Sequence, residues 1–133
     1  MPDSIVTIHC DHPYGEPDLD GLNSLAEHVI RTENWRFNAT IILVDDAGII
    51  RLNRSFLQKD DVTDVIAFQV DEENDGEVYI NLDEARKQAL EADEPIAKAV
   101  QRLLVHGILH LGGWIDGTDD ERKKMLAHGE TYL

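Results

Sequence analysis

The hydrophobic positions along the chain fall into two spacings, one typical of strands and one typical of helices. Short apolar or alternating runs predict four strands, at residues 4–9, 39–44, 65–70 and 78–82. Apolar residues that recur at every third or fourth position predict helices that begin near residues 18, 45, 83, 95 and 119. The turn-rich residues 71–76 predict a hairpin between the last two strands. This order predicts one α+β domain over residues 1–133, with helices packed on a small mixed four-stranded sheet.

The net charge limits which partners the protein can have. The chain of 133 residues carries 12 Lys and Arg against 27 Asp and Glu, which gives a net charge of −15. Proteins that coat nucleic acid or rest on anionic membrane need an excess of basic residues. We therefore expect no DNA partner and no membrane partner. The acidic excess lies in residues 1–30 and 60–94, while residues 31–59 and 95–133 are close to neutral.

Cysteine content and hydropathy indicate the compartment. Cys10 is the single cysteine, which excludes an internal disulfide and a four-cysteine zinc module. No apolar run approaches the roughly 18 residues that span a bilayer, and the first residues are acidic where a signal peptide is basic. We therefore expect a cytoplasmic protein.

Residues 105–116, with the sequence VHGILHLGGWID, hold the pattern that points to chemistry. His106 and His110 are four apart on a predicted helix near the C-terminus, so their side chains leave the same face, with β-carbons roughly 6 Å apart. The two glycines that follow can end this helix in a left-handed turn and bring Asp116 back beside the imidazoles. Two histidines and a carboxylate with an open position are typical of catalytic Zn²⁺, although Ni²⁺ or Fe²⁺ would accept the same ligands. The sequence predicts one metal ion, expected to be Zn²⁺, on these three residues.

Two histidines at helical spacing also occur without a metal, so the neighbouring residues decide between the two interpretations. A glycine and an aspartate follow at the offsets of a metalloprotease-type ligand string, H-x-x-x-H-x-x-G-x-x-D, which favours the metal. Gly107 stands where the H-E-x-x-H helix of a protease carries its general base. A phosphodiester makes smaller demands on such a base, because the metal itself supplies the nucleophile or the Lewis acid. The pattern favours RNA over a peptide as substrate.

Three segments resemble the YbeY family of bacterial single-strand endoribonucleases and rRNA maturation factors. Residues 52–68 (LNRSFLQKDDVTDVIAF) resemble L-N-x-x-Y-R-x-K-D-x-x-T-[DN]-V-L-S-F, residues 76–80 (GEVYI) resemble G-D-I-x-I, and residues 106–116 (HGILHLGGWID) resemble H-G-x-L-H-L-x-G-Y-D-H. The resemblance covers most of the chain from residue 44 onward. It implies an α+β fold with a four-stranded sheet, and zinc bound by three histidines on and just after the helix.

The chain departs from the family pattern at two positions. The third histidine falls on Asp116, so the resemblance implies two histidines and one carboxylate as ligands. The arginine that holds phosphate in the family falls on Leu57, which offers no hydrogen bond. Lys59 or Arg54 is expected to replace it, binding the substrate phosphate and offsetting the negative charge that develops there.

Thr63 and Asp64 match the T-[DN] pair of the family, just before the strand that is expected to flank the metal helix. Two interpretations stay open for them: a substrate-binding role, and a turn or strand-cap role.

The other histidines are expected to lie outside the site. His9 and His12 form a second cluster at a strand end, for which we expect no ligand role. We expect His28 and His128 on the surface, and Trp114 in the core or acting as a lid rather than as a stacking platform.

The leading hypothesis is a zinc-dependent, single-strand-specific endoribonuclease that acts in maturation of the 3′ end of 16S rRNA and in ribosome quality control. Its partners would be single-stranded RNA and a ribosomal subunit or a ribosomal or assembly protein. The alternative is a zinc-stabilised ribosome-assembly module without catalysis, which Leu57 and the net charge favour. A minimal metalloprotease is the least favoured, because of Gly107. The charge distribution fits a narrow, metal-centred groove on an acidic body, brought to its RNA by a partner with a basic surface.

Overall fold

A four-stranded sheet with helices packed on it forms the structure. The computed structural model describes residues 5–12, 18–57, 63–70 and 75–133, and of residues 56 and 57 it describes the backbone only. The strands are β1 (Val6–Cys10), β2 (Ala39–Val44), β3 (Val65–Gln69) and β4 (Gly76–Asn81). The helices are α1 (Leu19–Thr32), α2 (Asp46–Leu52), α3 (Leu82–Ala92), α4 (Ile96–Leu111) and α5 (Asp119–Glu130). The predicted order of strands and helices is confirmed. Residues 71–74 of the predicted hairpin connection lie outside the described residues.

The sheet is mixed, as predicted, with the strand order β1-β2-β4-β3. β1 pairs with β2 in parallel, with Val6 opposite Ala39, and β2 pairs with β4 in parallel, with Ala39 opposite Gly76. β3 pairs antiparallel with β4, with Val65 opposite Ile80. β4 therefore lies between two strands that precede it in the sequence, and β3 forms an edge beside which α4 packs.

Polar side chains begin the helices at the predicted places. The Asp45 carboxylate accepts a hydrogen bond from the backbone N–H of Gly48 at 2.8 Å, which caps α2. Thr118 and Glu121 form a reciprocal capping box at the start of α5. The helix predicted to run on from Asp45 changes character after Leu52, where it continues as a π-helical segment, Asn53–Leu57.

The two faces of the sheet are buried by different helices. On β2, Ile41 and Leu43 point into the larger core, which includes residues of α1, α3 and α4. The alternating positions Ile42 and Val44 point to the other face and pack with Ile49 of α2. α4 is the central helix, with contacts to α1, α3, α5, β3 and β4.

Among the described residues, no helix is both long enough and apolar enough to cross a membrane.

Gly107 allows α4 to approach the sheet closely. A β-carbon at this position would lie 2.4 Å from Cγ1 of Val78 and 3.3 Å from Cγ2 of Val65. Val78 is fully buried in the inner strand β4 and, being β-branched, has little rotamer freedom with which to move aside. The helix therefore has no room here for the glutamate that a protease of the H-E-x-x-H type requires.

We expect Gly107→Ala to lower the free energy of unfolding by about 1–2 kcal/mol, because the cost of overpacking exceeds the gain in helix propensity. The matched control is Gly117→Ala, where the nearest atom to a new β-carbon is Oε1 of Glu121 at 3.7 Å. Its effect should stay within about 0.5 kcal/mol. Urea denaturation of the three proteins measures both values. A Gly107→Ala protein as stable as the wild type would show that the close approach is not needed.

Candidate functional site

A cavity of about 280 Å³ lies where α3, α4 and α5 meet the start of β3. The three side chains predicted to bind a metal, His106, His110 and Asp116, all line it. α4 supplies both histidines from one face, and the chain after α4 supplies the aspartate. The remaining polar lining residues are Asp64, Gln88, Arg102 and Arg122.

The end of α4 explains why Asp116 returns toward the histidines. Gly113 has a φ of +103°, a left-handed conformation that favours glycine. The N–H of Gly113 donates to the carbonyl of His110, and the N–H of Trp114 donates to the carbonyl of Leu109, both at 3.0 Å. These two bonds form a Schellman motif, which reverses the chain immediately after the helix. The left-handed turn predicted for the Gly-Gly pair is thus carried by its second glycine.

His110 is held in one orientation by the backbone. Its Nδ1 lies 3.1 Å from the carbonyl oxygen of Trp114, and because a carbonyl can only accept, Nδ1 carries the proton. In the neutral ring, Nε2 is then an acceptor, and it faces Oδ2 of Asp116 at 3.5 Å. A backbone partner for the second ring nitrogen is typical of histidines that bind metal.

The distance between these two atoms suits a shared cation. Two ligands on a tetrahedral zinc, with bonds of about 2.0–2.2 Å, lie about 3.4 Å apart. A neutral imidazole nitrogen and a carboxylate oxygen both present lone pairs, so they attract a positive ion rather than each other. The pair formed by His110 and Asp116 therefore fits a metal.

His106 contributes a buried nitrogen to the same cavity. Its Nε2 is buried and has no hydrogen-bond partner within the described part of the chain, which is costly unless a ligand binds there. Burial lowers the pKa of His106, although the negative charge of Asp64 acts to raise it. The lowered pKa favours the neutral imidazole, which is the form that binds metals. Three or more His, Cys, Asp or Glu side chains do not come close enough together to hold an ion anywhere in residues 5–12, 18–57, 63–70 and 75–133. The structure thus joins two of the predicted ligands and places the third in the same cavity.

The Thr63-Asp64 pair divides between two environments. Asp64 lines the cavity, and its Oδ2 accepts a hydrogen bond of 3.0 Å from Nε2 of Gln88. Thr63 joins a buried polar group instead: its carbonyl accepts from Nδ2 of Asn81 at 3.2 Å, and its Oγ1 accepts from Nδ2 of Asn53 at 3.5 Å. A structural role accounts for these contacts of Thr63, while a substrate role for either residue stays a prediction.

Of the two cations predicted to bind phosphate, only Arg54 is among the described residues, and it does not line the cavity. Arg54 is exposed on the π-helical segment, and Lys59 lies outside the described residues. Their substrate role stays a prediction. Arg102 and Arg122 do line the cavity, and sequence reasoning missed both. A signal existed for Arg102, which precedes His106 by four residues and so shares its helix face. Arg122 reaches the cavity only through the packing of α5.

A cluster of four side chains supports the chain after α4 from outside the cavity. Trp114 stacks on His128 with ring centroids 4.5 Å apart and an interplanar angle of 11°. Nε2 of His128 lies 2.8 Å from a carboxylate oxygen of Glu33, which the hydroxyl of Tyr132 also reaches. His128 lies at the surface, as expected, but its ring is partly covered, because α5 packs it against the half-buried indole of Trp114. Trp114 is partly buried and packs against the main core, as expected, and its ring also stacks on His128.

The second histidine cluster lies elsewhere. His12 is buried, and its Nε2 lies 2.7 Å from Oδ1 of Asp83, whose Oδ2 accepts from the N–H of Asp46 at 2.9 Å. His9 is exposed on β1. Neither residue lines the cavity described above.

Known proteins are similar to this chain in sequence and in fold. Residues 15–133 match the family described as Endoribonuclease YbeY. The chain is 32% identical over 140 residues to the Endoribonuclease YbeY of Salinibacter ruber, covering 96% of this chain and 89% of that one. It is 38% identical over 120 residues to the Endoribonuclease YbeY of Syntrophotalea carbinolica, covering 82% and 80%. The solution structure of TM1509 from Thermotoga maritima superposes with a TM-score of 0.71 at 28% identity, covering 96% and 86%.

The matched family is one of endoribonucleases, which are hydrolases that act on RNA. The chain belongs to this YbeY family, as the resemblance in its sequence predicted. The small α+β fold with a mixed four-stranded sheet is confirmed by the same comparison.

The carboxylate of Glu33 should make stability depend on pH. Burial by itself would raise its pKa, but the hydrogen bonds from Tyr132 and His128 lower the pKa below the ordinary value of 4.5. The unfolded chain therefore takes up this proton first as the pH falls. The stabilisation is complete above about pH 4.5 and is lost below it, as the pH falls through the lowered value.

We expect Glu33→Gln to remove this loss, so that its stability falls less than that of the wild type between pH 5 and the acid transition, by on the order of 1 kcal/mol. Thermal unfolding across that range measures the difference. Glu91→Gln, at an exposed position on α3, is the control and should follow the wild type. Parallel curves for all three proteins would contradict the assignment.

Proposed function

We propose that this chain is a zinc-dependent, single-strand-specific endoribonuclease that acts on rRNA in the cytoplasm. Membership of the YbeY family supports the endoribonuclease class. One observation supports the metal: Nε2 of His110 faces Oδ2 of Asp116 at 3.5 Å, beside the buried and unpartnered Nε2 of His106.

The chain's own residues prepare the cavity for this chemistry. His106, His110 and Asp116 would hold the ion, and zinc bound there supplies a Lewis acid and acidifies a water molecule. The Trp114 carbonyl keeps the Nδ1 proton of His110 in place, so Nε2 stays available. α5 covers His106 at Gly129, where a β-carbon would lie 3.3 Å from Cδ2 of the imidazole.

The size of the cavity supports a single strand as substrate. Its volume of about 280 Å³ lies just below the range for small-molecule sites, which is about 300–1,000 Å³. Such a space accommodates one phosphodiester unit whose neighbouring nucleotides are not held in a double helix. We expect a duplex to fit this space less well than a single strand, because pairing holds both backbones in a fixed helical geometry.

We expect His110→Ala to lose zinc and to cleave single-stranded RNA at least about 100-fold more slowly than the wild type, because a ligand of the ion is removed. Elemental analysis gives the metal content, and gel electrophoresis of a labelled RNA gives the rate. The control is His9→Ala, which removes an exposed histidine outside the cavity and should keep both. A duplex of the same sequence should resist cleavage.

Each other outcome contradicts a stated part of the proposal. Equal cleavage by His110→Ala and the wild type would remove the metal site from catalysis. Zinc that raises the melting temperature without any RNA turnover would favour the alternative, an assembly module without catalysis. Cleavage of a peptide would favour the metalloprotease, which the packing around Gly107 opposes.

The cellular role proposed is maturation of the 3′ end of 16S rRNA and ribosome quality control, with a ribosomal subunit or its proteins as partner. The net charge of −15 supports a protein partner, because bulk attraction to RNA is absent. We expect the protein to sediment with a ribosomal subunit, and precursor 16S rRNA to be shortened by the wild type but not by His110→Ala. A protein that neither sediments with a ribosomal subunit nor shortens precursor 16S rRNA would contradict this role.

A further inference from the structure

The proposed RNA substrate needs a positive partner inside a cavity that is rich in carboxylates. Asp64 and Asp116 both line the cavity, and the chain as a whole is strongly acidic. A phosphate entering it meets repulsion unless a cation is within reach. The described residues that line the cavity include two candidates, Arg102 on α4 and Arg122 on α5.

Arg102 is already engaged by the protein. Its Nε donates to Oε1 of Glu130 at 2.7 Å, and its terminal nitrogens donate to both oxygens of Glu94. The hydrogen bonds that Arg102 donates to the carboxylates of Glu94 and Glu130 raise its pKa further above the usual value. One positive charge thus faces two negative charges. The guanidinium links Glu94, just before α4, to Glu130, at the end of α5. Its donors are committed to structure.

Arg122 is differently placed. Met125 and Leu126, three and four residues further along α5, also line the cavity, so Arg122 lies on the helix face that is turned toward it. Its side chain is exposed, and its guanidinium has no hydrogen-bond or ion-pair partner in the part of the chain that the structure describes. It is a cation at the cavity wall whose donors are available.

We propose that Arg122 binds the RNA phosphate beside His110 and Asp116. This inference rests on the proposed function and names the group that holds its substrate. The planar guanidinium can donate two parallel hydrogen bonds to one phosphate, which lysine cannot do. Binding by a single, directed arginine also explains how an acidic protein holds RNA at one point without attracting it over its surface.

The test compares Arg122→Gln with Lys123→Gln. Both remove one positive charge from neighbouring exposed positions of α5, but Lys123 does not line the cavity. Fluorescence anisotropy of a labelled single-stranded RNA measures Kd for the protein as purified, at several salt concentrations. A gel confirms that the RNA stays intact, and a 2′-O-methyl RNA of the same sequence replaces it where it is cut.

We expect Arg122→Gln to weaken binding roughly tenfold at low salt, and to reduce the slope of log Kd against log salt by about 0.7, the value for one lost phosphate contact on a single strand. Arg122→Lys should keep the slope and lose part of the affinity, because it keeps the charge and loses the paired hydrogen bonds. Lys123→Gln should change Kd less than about twofold.

The outcomes separate this inference from the function on which it rests. The role of Arg122 would be overturned if Arg122→Gln and Lys123→Gln gave equal Kd values and slopes while the wild type bound and cleaved RNA. That result would leave the proposed function intact. A wild type that neither binds nor cleaves single-stranded RNA would overturn the proposed function. Circular dichroism of each variant confirms folding, which an exposed position should preserve.

Discussion

The close approach of α4 to the sheet is the constraint on which the site depends. Gly107 removes the one side chain that would hold the helix away from Val78, so apolar residues bury the other faces of α4 against its neighbours. From residue 102 to the end of α4, the positions that stay only partly buried are Arg102, His106 and His110, which form one stripe along the helix. A helix packed on several sides is a rigid frame, and rigid frames hold ligand side chains more accurately than loops do. The same burial leaves His106 with a nitrogen that needs a partner.

The segment that follows α4 is held from both directions. Inward, the carbonyl of Trp114 accepts a hydrogen bond from Nδ1–H of His110. Outward, the indole of Trp114 stacks on His128, which pairs with Glu33 at the end of α1. The orientation of a predicted ligand is therefore linked to the packing of α1 and α5 as well as to its own helix. Residues that never touch the cavity help to set the angle of an imidazole within it.

Local patterns in the sequence contained most of the fold. Periodicity and caps such as Asp45 located the helices, and the short apolar run at residues 39–44 located β2. The spacing of His106, His110 and Asp116 anticipated one cavity, because a helix face and a Schellman turn are both local features. The pairing of Glu33 with His128 and the arrival of Arg122 at the cavity were missed, since they depend on how α5 packs. The π-helical end of the second helix carried no recognised signal, and Lys59 lies outside the described residues.

The strand order has a consequence for how the protein acquires activity. Only β3 and β4 are near neighbours in sequence, whereas β1 pairs with β2 across α1, and β2 pairs with β4 across α2 and β3. Such distant pairings close long loops before they are stabilised, which makes folding slow compared with that of a helical bundle. The cavity is lined by residues from the start of β3 and from α3, α4 and α5, which pack on this sheet or on each other. Until α5 has docked, the cavity lacks the wall formed by Arg122, Met125 and Leu126, and His106 lacks the cover of Gly129, so the site is complete only after these distant pairings and the docking of α5.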